Sequence, residues 1–245
     1  MPNGEAEHDF DETGVRPRAG GPSIVRMSLS QQTYEAIKER ILDRRYPPNM
    51  RINIDSLARE LSVSSSPIRE ALAKLKGEQL VVSAQYSGYT VAPQPSVSYL
   101  EDLLAYRLLI EPYCAFMGAQ RKDSTVIAQM ERMVLIMREH SLGQKYKQYR
   151  HYLNADNNFH QVLVASAGNQ VFSSTYANLQ AIIVQSRLYL HRNGSTAASA
   201  DGTREHQDIY DAFVAGDGEA ARLATLNHLN AGRQRLLDRV KSELA

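Results

Sequence analysis

The chain has 245 residues, 43% of them hydrophobic, and a formal net charge of +1 from 28 basic and 27 acidic side chains. That length suffices for a sizeable core and two domains, and so balanced a charge singles out neither a nucleic acid nor a membrane as partner. A single cysteine, Cys114, excludes an intramolecular disulfide framework. With no signal-like leader and no long apolar run, the expectation is a soluble, cytoplasmic protein without a membrane partner.

Residues 1–27 are rich in glycine, proline and acidic side chains and lack periodicity, so they read as a disordered tail. Over residues 31–45, Tyr34, Ile37, Ile41 and Leu42 recur at helical spacing until Tyr46-Pro47-Pro48-Asn49 stops the pattern. The segment 57–76 then reads as two short helices joined by a tight turn. In the second, Ile68, Ala71, Leu72 and Leu75 face a core, while Ser66, Arg69 and Ala73 share another face. Ser66 suits the N-cap and Pro67 the first helical position. Arg69 falls in the first turn, where a recognition helix makes base or phosphate contacts. An ordinary amphipathic hairpin would show the same apolar stripe. After Gly77 come two β-rich runs, 80–84 and 89–91, around a turn with Gly88 at its tip, which together read as a wing. Residues 29–92 hold nine basic and seven acidic residues, a net +2, which binds DNA only if the positive groups converge on one face.

A Pro- and Ser-containing linker, 93–98, leads to a domain over 99–245 that is helical throughout by pattern. Six helices are expected, at 97–121, 124–142, 145–167, 170–192, 203–215 and 218–243. Gly168-Asn169, Asn193-Gly194 and Gly216-Asp217-Gly218 supply three of the breaks. The expected fold is mainly α: a winged helix-turn-helix over 28–92 on an all-α bundle.

In the bundle, Asp156 and His160 lie four residues apart and stack on one helical face; His206 and His228 fall in the last two helices. Imidazoles with one carboxylate suit a divalent transition metal such as Zn²⁺, Ni²⁺ or Mn²⁺ better than Ca²⁺. Spacing alone is weak support, since helical histidines are more often surface or hydrogen-bonded core residues; His8, His140, His151 and His191 read as solvated. Arg187 falls on the inner face formed by Tyr176, Leu179, Ile183 and Leu190, and a cation there calls for an anion. Arg107 interrupts the stripe of Leu100, Leu103, Leu104 and Leu108 in the same way, although Glu111 four residues on offers an intrahelical partner. Tyr149 shares the face of Asp156 and His160 and either lines their cavity or belongs to the core. Arg187, Arg107 and Tyr149 are the candidate contacts for a small carboxylate effector.

Three stretches, YEAIKERILDRRYPPNMRI (34–52), LARELSVSSSPIREAL (57–72) and GYTVAP (88–93), occur in the order and spacing by which the chain resembles the GntR family of bacterial transcription regulators. The bundle behind them is similar to the FCD effector domain in its shorter six-helix form. In that family's metal-binding branch an Asp and a His stand four apart on one helix with one His on each of the last two, which implies Asp156, His160, His206 and His228 as ligands. The resemblance also implies a homodimer on a palindromic double-stranded DNA operator, repression more often than activation, and DNA contacts at Ser64, Ser65, Ser66, Arg69, Lys74 and Gly88. The chain departs from the family pattern where arginines are usual: Ser65 replaces one, none stands near Asp55, and Ser87 occupies the wing tip. Arg69 is the one retained.

Two alternatives remain. A metal-dependent hydrolase could use the same Asp and His residues, but no His-Glu-x-x-His motif occurs, and Glu205, adjacent to His206, points about 100° away around the helix. A metal-free regulator responsive to fatty acyl ligands, as in another branch of the family, would leave the polar cluster structural.

Overall fold

The computed structural model describes residues 27–84, 88–140, 146–190 and 196–244; the acidic tail expected at the N-terminus lies, up to residue 26, outside them. Ser28 caps α1 (Leu29–Leu42), accepting the Gln31 N–H at 3.1 Å. Thr33, Tyr34, Ile37 and Ile41 form its buried stripe. The helix closes at Asp43, three residues short of the proline stop read from sequence, and Arg44 turns into the left-handed region at φ 56°. A two-residue strand, β1 (Arg51–Ile52), follows, then α2 (Ile54–Leu61), capped by the Asn53 side chain on the Ser56 N–H at 2.9 Å. The tight turn passes through Ser62 at φ 55°, a conformation L-residues adopt at a cost.

The recognition helix α3 (Ser65–Gly77) starts two residues earlier than expected: Ser64 is the N-cap, and Ser66 and Pro67 already lie in the first turn. All three serines can cap, and proline is tolerated anywhere in a first turn because those N–H groups have no intrahelical acceptor. Gly77 is the last residue of the helix, where the helical pattern was expected to stop. β2 (Val81–Ala84) and β3 (Gly88–Val91) pair antiparallel, Val81 opposite Val91 and Ala84 opposite Gly88. β1 adds to the outer edge of β3 through Arg51 opposite Thr90, giving the order β1-β3-β2, a third strand that the sequence reading did not include. Ile37, Leu57, Ile68, Leu72, Leu75 and Val91 make the apolar core of this head.

The bundle consists of α4 (Val97–Arg121), α5 (Ser124–Glu139), α6 (Tyr146–Ser166), α7 (Gln170–Leu190), α8 (Thr196–Ala215) and α9 (Gly218–Leu244). α4 begins inside the stretch read as linker. α8 begins seven residues before the expected position, so that Gly202 is helical; a Cβ there would stand 2.9 Å from the Tyr152 hydroxyl, which accounts for glycine in mid-helix. α4 packs along α9 and against α6, and α8 completes the group against α5 and α9. The head and bundle meet at the start of α6, where Asp43 of the head accepts the Tyr146 backbone N–H at 2.8 Å. A carboxylate from one domain thus caps a helix of the other, satisfying an otherwise orphan donor at the positive end of the helix dipole.

Candidate metal centre

α6 presents Asp156 and His160 inward, and α8 and α9 bring His206 and His228 to the same point, with all four ligand atoms within 4.8 Å of one another. The set is almost withdrawn from solvent, at 5%, 0%, 1% and 8% exposure in that order. His160 Nε2 lies 3.2 Å from His206 Nε2 and 3.2 Å from His228 Nε2, and Asp156 Oδ1 lies 3.0 Å from His206 Nε2 and 3.8 Å from His160 Nε2.

The outer nitrogens explain this inward convergence. His160 Nδ1 donates to Glu111 Oε2 at 2.6 Å, His206 Nδ1 to the Gly202 carbonyl at 2.6 Å, and His228 Nδ1 to Glu205 Oε2 at 2.8 Å. Each Nδ1 therefore carries the ring proton, leaving three Nε2 lone pairs and a carboxylate oxygen facing one another. Lone pairs and a carboxylate brought this close repel, and a divalent cation relieves that repulsion. The spacing suits one: tetrahedral nitrogen ligands at the usual zinc distance stand about 3.3 Å apart. Burial, together with repulsion from His206, pushes the His228 imidazole down to about 4, so the ring is held in the neutral form that a metal requires.

A second layer holds the rings. Glu111 on α4 is fully buried; burial alone would raise its carboxyl, but Arg107 and His160 outweigh it and keep the group well below its usual range. It accepts from Arg107 Nε at 2.5 Å and from the Tyr176 hydroxyl at 2.7 Å as well as from His160. Glu205, half-buried, overcomes its own desolvation through His228 and Arg235 and is held down to about 2. Arg235 grips both its oxygens, at 2.8 and 2.9 Å. Carboxylate–histidine pairs of this kind fix ring orientation and raise ligand basicity.

Arg107, a candidate effector contact by sequence, is instead 5% exposed and engaged with Glu111, the intrahelical partner four residues on. It helps hold a carboxylate that orients His160. Tyr149 is buried in the bundle core with its ring edge-on to Tyr146, the core alternative of the two readings. The Arg187 side chain lies outside the described residues, although its backbone belongs to α7. Of the histidines read as solvated, His151 is exposed and stacks at 4.8 Å on His140, whose Nδ1 donates to the Ile136 carbonyl, while His8 and His191 lie outside the described residues. Glu111 as a partner of His160 escaped the sequence reading, since their separation of 49 residues leaves no local pattern.

On the head, Arg69 is exposed and its guanidinium has no partner among the described residues. Ser64 and Ser66 are exposed beside it, Ser65 is half-buried, and Gly88 is exposed at the start of β3 with φ 75°. Lys74, expected to face DNA, departs from that group: its Nζ donates to Gln31 Oε1 at 3.0 Å and sits 3.9 Å from the centre of the Tyr34 ring. Its long stem reaches back to α1 and gains a cation–π contact.

Residues 29–91 match the gntR family of bacterial regulatory proteins, and residues 102–231 match the FCD domain. The chain belongs to the GntR family and carries an FCD domain. It is similar to the galactonate operon transcriptional repressor of Escherichia coli strain K12, with 27% identity over 81% of this chain and 92% of that protein. It is also similar to the HTH-type transcriptional repressor RspR of the same strain, with 25% identity over 82% and 86%. Among solved structures, Escherichia coli McbR/YncC shares the fold at a TM-score of 0.63 and 17% identity, covering 88% of this chain and all of that one. Members of this family are transcription regulators that bind DNA, usually as dimers, and the chain is a regulator rather than an enzyme. The Glu205 geometry agrees: the carboxylate a hydrolase would need as a base is turned to the far side of His228. No described helix is long and apolar enough to cross a membrane.

Proposed function

We propose that this GntR regulator is a ligand-responsive repressor whose FCD domain holds a divalent transition metal, Zn²⁺, Ni²⁺ or Mn²⁺, through Asp156, His160, His206 and His228. The observation that carries the reading is the convergence of three Nε2 atoms whose Nδ1 partners are all engaged by acceptors. Held by four protein ligands, the ion would take an oxygen of a small carboxylate effector by expanding beyond four-coordination. That effector class is supported by the relative named for the galactonate operon, whose name contains a sugar acid.

The DNA-facing set is Ser64, Ser65, Ser66, Arg69 and Gly88, acting twice in a homodimer over a palindromic operator, in which two small heads reach half-sites that one cannot hold alone. α6 links the two functions. It carries Asp156 and His160 on one face and is capped by Asp43 of the head at its first residue. An effector that binds the two arrangements of the heads with different free energies shifts operator affinity by ~1–3 kcal/mol. Arg187 belongs in this proposal as an anion partner of the effector.

Metal analysis of protein prepared without chelator tests the first half: one divalent ion per chain is expected, lost in His206→Ala, together with a fall in thermal stability on chelation. Protein that neither contains nor takes up such an ion overturns the metal, and operator affinity unmoved by any bound organic acid overturns the switch.

A further inference from the structure

Between head and bundle lies a cleft of about 610 Å³, within the size range of small-molecule sites. The head contributes Lys38 and Glu78, and the bundle contributes Asn154, Asn157 and Asn158 from α6 and Asn178 from α7. We propose that this cleft is a second ligand site, distinct from the metal centre, for a neutral, hydroxyl-rich small molecule of the sugar or polyol class.

Five carboxamides line it, Gln79 from the head and four asparagines from the bundle, three of the latter on α6 at spacings of three and four residues. The exposed Asn154, Asn158 and Asn178 each offer an acceptor and two donors, the complement that hydroxyl groups need. Asparagine is also a poor choice for a helix interior, where it competes with the backbone for hydrogen bonds, so three in five residues are not there for helix stability. The charge of the lining selects further. Lys38 Nζ lies 2.7 Å from Glu78 Oε2 and 2.7 Å from the Tyr34 hydroxyl, which in turn donates to Glu78 Oε1. The cation and the anion of the cleft are thus paired with each other. An anionic ligand would have to compete with Glu78 for Lys38, whereas a neutral polyol meets the amides and leaves the pair intact.

The site is tested on the metal-loaded full chain by protein-observed NMR titration with myo-inositol, D-glucose and D-sorbitol, and with D-glucuronate as the charged comparator. At least one neutral probe is expected to saturate below about 10 mM. Asn154→Ala/Asn158→Ala should weaken it about tenfold, the scale of losing two neutral, solvent-exposed hydrogen bonds. Both positions are exposed and alanine favours helix, so loss of folding does not confound that variant. His206→Ala should leave this binding unchanged, which separates the cleft from the metal reading. Failure of all three neutral probes to saturate, equal affinity in the asparagine variant, or tighter binding of glucuronate than of glucose would each overturn the proposal.

Discussion

The head and the bundle are both built on buried apolar residues, but only the bundle places charges within its core. In the head, the buried set around Ile37, Ile68 and Leu72 is apolar, and its ion pairs, Lys38–Glu78 and Arg40–Glu60, lie at the edge. In the bundle, Arg107, Glu111, Asp156 and three histidines are each below 10% exposure. Burying charge is costly unless every group is paired, and apolar residues of the same volume often stabilise as well or better. The head's interior is therefore accounted for by folding alone. Folding alone does not account for the polar interior of the bundle, and the proposed metal site does.

The sharpest way to break this contrast is Glu111→Ala, which strands the Arg107 guanidinium and the Nδ1 proton of His160. A loss of about 3–5 kcal/mol of bundle stability is expected, with the head unaffected. Denaturation of the full chain followed through probes in each domain checks it, and an equal loss in both would show that the two regions are not separable. Next in size is Glu205→Gln, which keeps the shape but weakens the acceptor on His228. Metal affinity should fall by about 10–100-fold while the fold persists, as read by competition with a calibrated chelator. On the head, Arg69→Ala should cost ~1–3 kcal/mol of specific operator binding per half-site. Lys74→Ala should spare specificity, since its ammonium is held by Gln31 and Tyr34. Gel-shift titrations on specific and scrambled duplexes separate the two, and equal losses of specificity would return Lys74 to the DNA face. The smallest effect is expected from Ser62→Gly, which removes left-handed strain in the turn before α3 and should stabilise the head by about 0.5–1 kcal/mol, visible as a raised melting temperature.

The same contrast governs what the sequence disclosed. The stripe of Ile68, Ala71, Leu72 and Leu75 was legible because helical burial repeats locally, and so was the outward position of Arg69. The contacts of Lys74 with Gln31 and Tyr34 were not legible, because its position fixes the direction of Cβ, not the end of a flexible four-carbon stem. The start of α8 was hidden by a run of small residues, Thr196 to Gly202, with no apolar period to read, and Gly202 makes sense only against Tyr152. Asp156 and His160 declared themselves by spacing, His206 and His228 were candidates by residue type, and the resemblance strengthened the case for all four. The Glu111 and Glu205 contacts with the histidines required the packed helices, because no period in the chain links residues on different elements.

The cap on α6 has a genetic meaning. Asp43 is neither one of the candidate DNA contacts nor one of the candidate metal ligands, yet it secures the first turn of the helix that bears Asp156 and His160. If that helix carries the signal, selection for strains that stay repressed in the presence of inducer should recover alleles at Asp43 and Tyr146. Their products would bind operator, metal and inducer as the parent does and differ only in failing to let go. An unresponsive phenotype would then map to the joint between domains, among residues that no binding assay on either domain alone would single out.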